Sequence, residues 1–325
     1  MLHYCDNAVT AKLGMSEFKK LMLLAVLTLG AAGANAAQQS AERSPCAADS
    51  SPGPATSSRT VEMTLAGVPA ILRVPASIRK PPIVLWHGLG PPASESDLMK
   101  DLPLDDVPAV KVYLGLPLFG ARAPAAGAES LAQRQSQDYA LKIFDPVVVG
   151  AARELPTVLN ELHKLGCLRT HDKVGLFGFS AGGAAVLVAL MDPKAPVSVA
   201  VTINAPSGLR SAVVAFERAT KQPYAWSDAS RQLAERTDAA QHASLIAGSA
   251  SQPRALLLLQ GADDNMIAPA DAISLAEALR PVFQRSGSEQ RLRLTVAPGI
   301  SHNWADPRTI EQVRTEVGDW FNRHL

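Results

Sequence analysis

The chain has 325 residues, 47% of them hydrophobic and 19% charged, with 31 Lys and Arg against 30 Asp and Glu. That length suits one large α/β domain or two small ones, and the composition excludes a disordered or fibrous chain. No basic run and no interleaving of aromatic with basic residues occurs, so nucleic acid is not expected as a partner.

Lys19 and Lys20 precede the apolar run LMLLAVLTLGAAG, and Ala34-Asn35-Ala36 follows it. A positive segment, an apolar stretch too short to span a bilayer and small residues before a cut describe a secretory signal peptide over residues 1–36. Cleavage is expected after Ala36. Met1 to Gly14 fit no signal pattern, which points to Met15 as the true start. The mature protein is therefore expected to be exported, periplasmic or secreted, with no membrane span. Removing residues 1–36 takes away Lys12, Lys19, Lys20, Asp6 and Glu17 and leaves the formal charges balanced. Export makes Cys46 and Cys167 candidates for a disulfide; two unrelated thiols are the alternative.

Residues 37–59 are rich in Ser, Pro and Ala with no hydrophobic period, as in a flexible leader. TVEMTLAGVPAILRV (60–74) alternates and turns at Gly67, reading as an antiparallel hairpin. Then come PIVLWHG (82–88), AVKVYLGLP (109–117), KVGLFGFS (173–180), VSVAVTIN (197–204), ALLLLQG (255–261) and RLRLTVAPG (291–299). Most are nearly continuous apolar runs, the pattern of strands buried on both faces of a parallel sheet.

Helical segments alternate with them. Pro146 to Leu165 puts Val148, Leu155, Val158, Leu159, Leu162 and Leu165 on one stripe, with Asp145 as cap and Pro146 at the first position. Pro156 should bend this helix. Ala181–Met191, Ala270–Arg285 and Arg308–His324 complete the set. The alternation predicts an α/β domain over residues 60–325, with a mostly parallel, doubly wound sheet. Residues 206–248 exceed what a crossover needs and read as a helical cap insertion over the carboxyl edge of the sheet.

Gly178-Phe179-Ser180-Ala181-Gly182 matches G-x-S-x-G between a predicted strand and a predicted helix, the context of a nucleophile elbow. The glycines let strand and helix approach closely, and Ser180 is presented at a helix N-terminus that favours developing negative charge. A serine needs a base. His302 in APGISHNW lies just beyond the last predicted strand, where such a sheet brings a base over the serine. The other histidines precede the serine or lie in helices, the cap or the C-terminus. The imidazole needs an orienting acid, and LLLLQGADDNMIAP offers Asp263 and Asp264. The spacing from Gly261 and to Pro269 favours Asp264, with Asp263 as a loop hydrogen-bonder. The oxyanion donors are expected to be the backbone N–H groups of Ala181 and of Leu89 in His87-Gly88-Leu89-Gly90, with His87 stabilising that loop. Arg122 is either a carboxylate-binding group or an ordinary surface arginine. Tyr224, Trp226 and Trp304 either line an acyl pocket or pack core and cap. No metal spacing, dinucleotide fingerprint or P-loop is present, so no cofactor is expected.

The motifs GFSAGG, HGLG, GADDNMIAP and SHNW resemble those of the α/β-hydrolase family over roughly Thr60 to Leu325. The flavour is similar to secreted carboxylesterases and to catalytic domains of the dienelactone hydrolase and prolyl oligopeptidase groups. Ser180 stands where dienelactone hydrolases carry cysteine, and no propeller-sized N-terminal stretch precedes the domain. The resemblance implies the α/β-hydrolase fold and a stand-alone serine esterase acting on a small-molecule ester through Ser180, His302 and Asp264. An amidase or peptidase with the same triad, and a hydrolase-fold binding module without catalysis, are the alternatives.

Overall fold

The computed structural model describes residues 44–47 and 58–325. The expected signal peptide and most of the expected leader lie outside the described residues. Strands β1 (Arg59–Leu65) and β2 (Val68–Val74) form the hairpin, so Arg59 already belongs to the sheet. Leu65 faces Val68 across Ala66 and Gly67, whose φ angles of 50° and 85° are those a two-residue hairpin turn requires.

Six further strands complete one eight-stranded sheet: β3 (Ile83–Trp86), β4 (Lys111–Leu114), β5 (Val174–Phe179), β6 (Val197–Ile203), β7 (Ala255–Gly261) and β8 (Leu292–Ala297). The order is β1-β2-β4-β3-β5-β6-β7-β8, and every pairing from β4 to β8 is parallel. Continuous apolar strands demand cover on both faces, and the side chains divide by pleat. Val174 and Leu176 of β5 join one core, while Phe177 and Phe179 join the other. The first core is closed by α3 (Gly150–Lys164), α4 (Ala181–Leu190) and α8 (Pro269–Arg285), the second by α1 (Glu95–Asp101) and α9 (Pro307–His324). This is the doubly wound α/β-hydrolase fold. Among the described residues no helix is long and apolar enough to cross a membrane.

One helix differs from its expectation. Helicity begins well before Pro146, with α2 (Gly127–Tyr139), continues through a π-helical segment at Ala140–Val149, and only then becomes α3. Asp138, at φ −169° and ψ 103°, kinks the chain, and its carboxylate accepts the Leu141 N–H at 2.9 Å. The cap is thus Asp138 rather than Asp145, and Pro146 sits inside the segment. A wider turn absorbs a proline because its missing N–H interrupts a ladder already shifted in register, as in the bond from Gly150 N–H to Asp145 O.

Residues 206–248 fold into α5 (Leu209–Thr220), α6 (Asp228–Arg236) and α7 (Ala243–Ala247). Cys46 and Cys167 are joined by a disulfide, with Cα atoms 5.2 Å apart. Ser44 Oγ donates to the Leu165 carbonyl beside it, and Arg59 donates to the carbonyls of Pro45 and Ala47.

Candidate active site

Ser180 stands between β5 and α4 at φ 51° and ψ −118°, a backbone conformation that non-glycine residues avoid. Neighbouring glycines make it possible. A Cβ on Gly178 would strike the Gly182 backbone, and one on Gly182 would lie 2.5 Å from the carbonyl oxygens of Trp86 and His87. The serine N–H is anchored to Ile203 O at 2.9 Å, and its side chain is left at the carboxyl edge of the sheet.

His302 Nε2 lies 3.0 Å from Ser180 Oγ, and His302 Nδ1 lies 2.9 Å from Asp264 Oδ2. Asp264 has no exposed side-chain surface. Its Oδ1 accepts the N–H groups of Met266 and Ile267 at 2.8 and 2.9 Å, and its Oδ2 also accepts from Gln260 Nε2 at 3.2 Å. A carboxylate buried and satisfied in this way accepts a hydrogen bond from Nδ1–H, leaving the Nε2 lone pair facing the serine hydroxyl. Asp263 turns elsewhere and accepts the Gly299 N–H at 2.9 Å. The structure therefore brings Ser180, His302 and Asp264 together and leaves Asp263 to the loop.

Asn204, at the end of β6, has a role that the sequence reading did not assign. Its side chain donates to the Ser301 and His302 carbonyls at 2.9 and 2.8 Å and accepts the Gly261 N–H at 2.7 Å. One amide thus ties the loop bearing the imidazole to the strand that leads into the carboxylate loop. The sequence signal was a polar residue ending the apolar run VSVAVTIN, and the structure holds Asn204 at φ 49°.

Leu89 and Ala181 line the same cavity as Ser180 and His302. Among the described residues neither N–H has a hydrogen-bond acceptor, so both are free to receive one from a ligand. The cavity measures 260 Å³. Its walls are Ile143, Phe144, Val147 and Val148 of the π-helical segment and Ala212 and Ala215 of α5. No Asp, Glu, Lys or Arg side chain lines it.

The remaining candidates lie outside this cavity. Arg122 forms a bidentate pair with Glu154 at 2.7 and 2.8 Å and donates to Gly115 O. Trp304 is buried edge-on against Phe179. Tyr224 and Trp226 pack in an aromatic row with Phe216, which stacks on Tyr139 at 4.7 Å. All three fill core and cap, so the packing alternative holds. His87 is fully buried in its loop, and burial pushes its imidazole down to about 4.

Several solved structures share the fold. A Thermus thermophilus protein, TT1662, is 20% identical with a TM-score of 0.60, covering 81% of this chain and 98% of its own. A puromycin-hydrolyzing peptidase of Mycobacterium tuberculosis is 18% identical with a TM-score of 0.58, matched over 82% of this chain. This chain spans only 39% of that peptidase. An esterase of Pyrobaculum calidifontis is 16% identical with a TM-score of 0.56, covering 82% of this chain and 85% of its own. No curated protein sequence matches. The sequence profile of the prolyl oligopeptidase family matches residues 149–325, which hold the elbow serine, the buried aspartate and the loop histidine, and on that match the chain belongs to the prolyl oligopeptidase family of α/β serine hydrolases.

Proposed function

We propose that the protein is an exported carboxylic ester hydrolase working through an acyl-enzyme. Ser180 Oγ attacks the ester carbonyl while His302 Nε2 takes its proton, and Asp264 holds the imidazole and balances its charge. The N–H groups of Ala181 and Leu89 receive the oxyanion. His302 then gives the proton to the departing alcohol. The same ring draws a proton from water as water attacks the acyl-serine, and the acid leaves with Ser180 restored.

The observation that carries this reading is the hydroxyl–imidazole contact of 3.0 Å opening into a small, uncharged cavity. At 260 Å³ it lies just below the usual range of ligand pockets, which starts at roughly 300 Å³. A short, apolar acyl group suits it. A charged peptide terminus would be buried there without a counter-charge, which is unfavourable. The family membership keeps a peptidase reading in view, since that chemistry uses the same three side chains. Export is supported by the Cys46–Cys167 bridge, because such bonds persist in oxidising compartments.

A panel of nitrophenyl esters of graded acyl length, with nitroanilide counterparts, tests the reading. Short and medium esters should be turned over fastest and the anilides far more slowly. Ser180→Ala should stay folded and lose about 10³-fold or more in turnover. Anilide rates matching ester rates would establish the peptidase alternative, and full activity in Ser180→Ala would revive the binding module.

A further inference from the structure

The amino edge of the sheet holds a second cavity, remote from Ser180. Strands β5 to β8 are neighbours and run parallel, so their first residues lie along one edge while the triad follows the other. Lys173 immediately precedes β5, Arg254 precedes β7, Arg291 precedes β8, and Lys194 stands in the turn before β6. All four line one cavity of 550 Å³, larger than the 260 Å³ at the triad. No Asp or Glu lines it, and among the described residues none of the four cations makes an ion pair. In a chain with 31 basic and 30 acidic residues, that imbalance is local and owes nothing to net charge.

Arg254 shows the deficit most sharply, because it is only 6% exposed. Its Nη1 donates to the carbonyls of Leu190, Leu245 and Ile246 at 2.7, 2.8 and 3.1 Å, which end α4 and α7. Carbonyl dipoles solvate the guanidinium without cancelling its charge, and a buried charge without a counter-ion is costly. Its Nη2 reaches only the Ala195 and Asp192 carbonyls, at 3.4 and 3.5 Å, too long to engage that arm well. Asp192, the acid whose field reaches Arg254, is exposed and gives its carboxylate to the Lys194 backbone N–H at 2.9 Å. Arg291 uses Nε alone, on Pro253 O at 2.6 Å.

We propose that this cavity binds a phosphate group, with Lys173, Lys194, Arg291 and the Nη2 arm of Arg254 as its cationic partners. Cations gathered without a counter-ion repel one another, and an anion relieves that repulsion. Phosphate carries close to two negative charges near neutral pH and presents its oxygens in several directions. That suits cations arriving from four strand ends, with the hydroxyls of Ser244 and Ser249 and the Gln252 amide lining the same cavity. A carboxylate, with two oxygens in one plane, matches a single guanidinium fork instead. The site stands apart from the ester-hydrolase reading, since the triad lies at the opposite edge of the sheet.

Calorimetric titration of the wild-type protein with inorganic phosphate, at ionic strength held constant with chloride, tests the site. One phosphate per chain should bind, and the unfolding temperature should rise with phosphate and not with chloride. Lys173→Gln and Lys194→Gln change exposed side chains and leave the Arg254 contacts intact, so both variants should fold. Each should weaken phosphate about threefold or more, and the double variant about tenfold or more. Lys221→Gln removes an equal charge at the end of α5, outside the cavity, and should bind as wild type does. Vesicles containing phosphatidic acid identify the source. Sedimentation with them, reversed by inorganic phosphate, assigns the site to a lipid headgroup; phosphate binding without sedimentation assigns it to a soluble phosphate. No binding at millimolar phosphate would overturn the proposal, as would a double variant that binds like wild type. An equal loss in Lys221→Gln would also overturn it, by reducing the effect to general charge attraction.

Discussion

Asp264 offers one oxygen to the imidazole and the other to two backbone amides, whereas its neighbour Asp263 bonds a glycine N–H at the surface. Asp264→Asn keeps the shape and replaces the acceptor with a donor, favouring the wrong histidine tautomer. Turnover should drop on the order of 10²–10⁴-fold with little change in stability, while Asp263→Asn should keep most of its activity. Measured rates in the reverse order would exchange the two roles. A second buried charge makes a pH-dependent contribution. Lys111 at the start of β4 donates to Val107 O at 3.1 Å, and burial pulls its ammonium from 10.5 down to about 8. Below pH 8 both folded and unfolded chains hold the proton, so the folded chain bears the full penalty, roughly 3 kcal/mol at most. Between about pH 8 and 10.5 the unfolded chain binds more protons, so stability rises with pH. Lys111→Met should therefore be more stable than wild type at pH 7. Urea titrations should show that advantage shrinking by pH 10, and a gap constant with pH would exclude Lys111 as its source.

The wall of the cavity is an element whose form depends on one aspartate. Asp138 accepts both the Leu141 N–H and, at 2.6 Å, the Tyr224 O–H from the cap segment. Asp138→Ala removes a helix cap and should cost about 1–2 kcal/mol by urea denaturation. It should also alter the acyl-length preference, because Ile143 and Phe144 stand on the turn it fixes. An unchanged preference would show that the π-helical wall keeps its shape without the cap. This wall was the part of the site least legible in the sequence. The elbow was readable because its glycines, its serine and the strand before it are contiguous, and each residue type is forced by local sterics. Asp264 and His302 were readable because a parallel sheet places the loops after its strands along one edge. By contrast, GAESLAQRQSQDY contains hardly any apolar residues, so α2 carries no stripe to detect. Its register is set by an aspartate pairing with a tyrosine 86 positions later. Asn204 escaped for the same reason, since its partners lie on two other strand ends.

Over the whole molecule, the disulfide closes a separation of 121 residues between the segment before β1 and the loop before β5. That loop feeds the amino end of β5, whereas Ser180 follows its carboxyl end. Breaking the bridge should therefore act on stability and leave the site alone. Cys46→Ser should lose on the order of 4–5 kcal/mol, by loop-closure entropy, with kcat unchanged. Calorimetry and ester assays on the same sample test the pair of expectations, and a large loss of kcat at a temperature where the variant is folded would contradict them. Protein recovered from an oxidising compartment should begin at Ala37 and show no free thiol when denatured without reductant. One thiol would mean that Cys5 had been retained, and more than one would mean that the bridge had not formed.

The elbow sets the chemistry against the fold. Ser180 holds a positive φ that costs a side-chain-bearing residue on the order of 1–3 kcal/mol, and a glycine adopts the same backbone without that penalty. Ser180→Gly would thus relieve strain in the very step that discards the nucleophile. A library of variants sorted for thermal endurance alone would drift toward dead proteins at this position. Only a screen that also demands turnover would keep the serine.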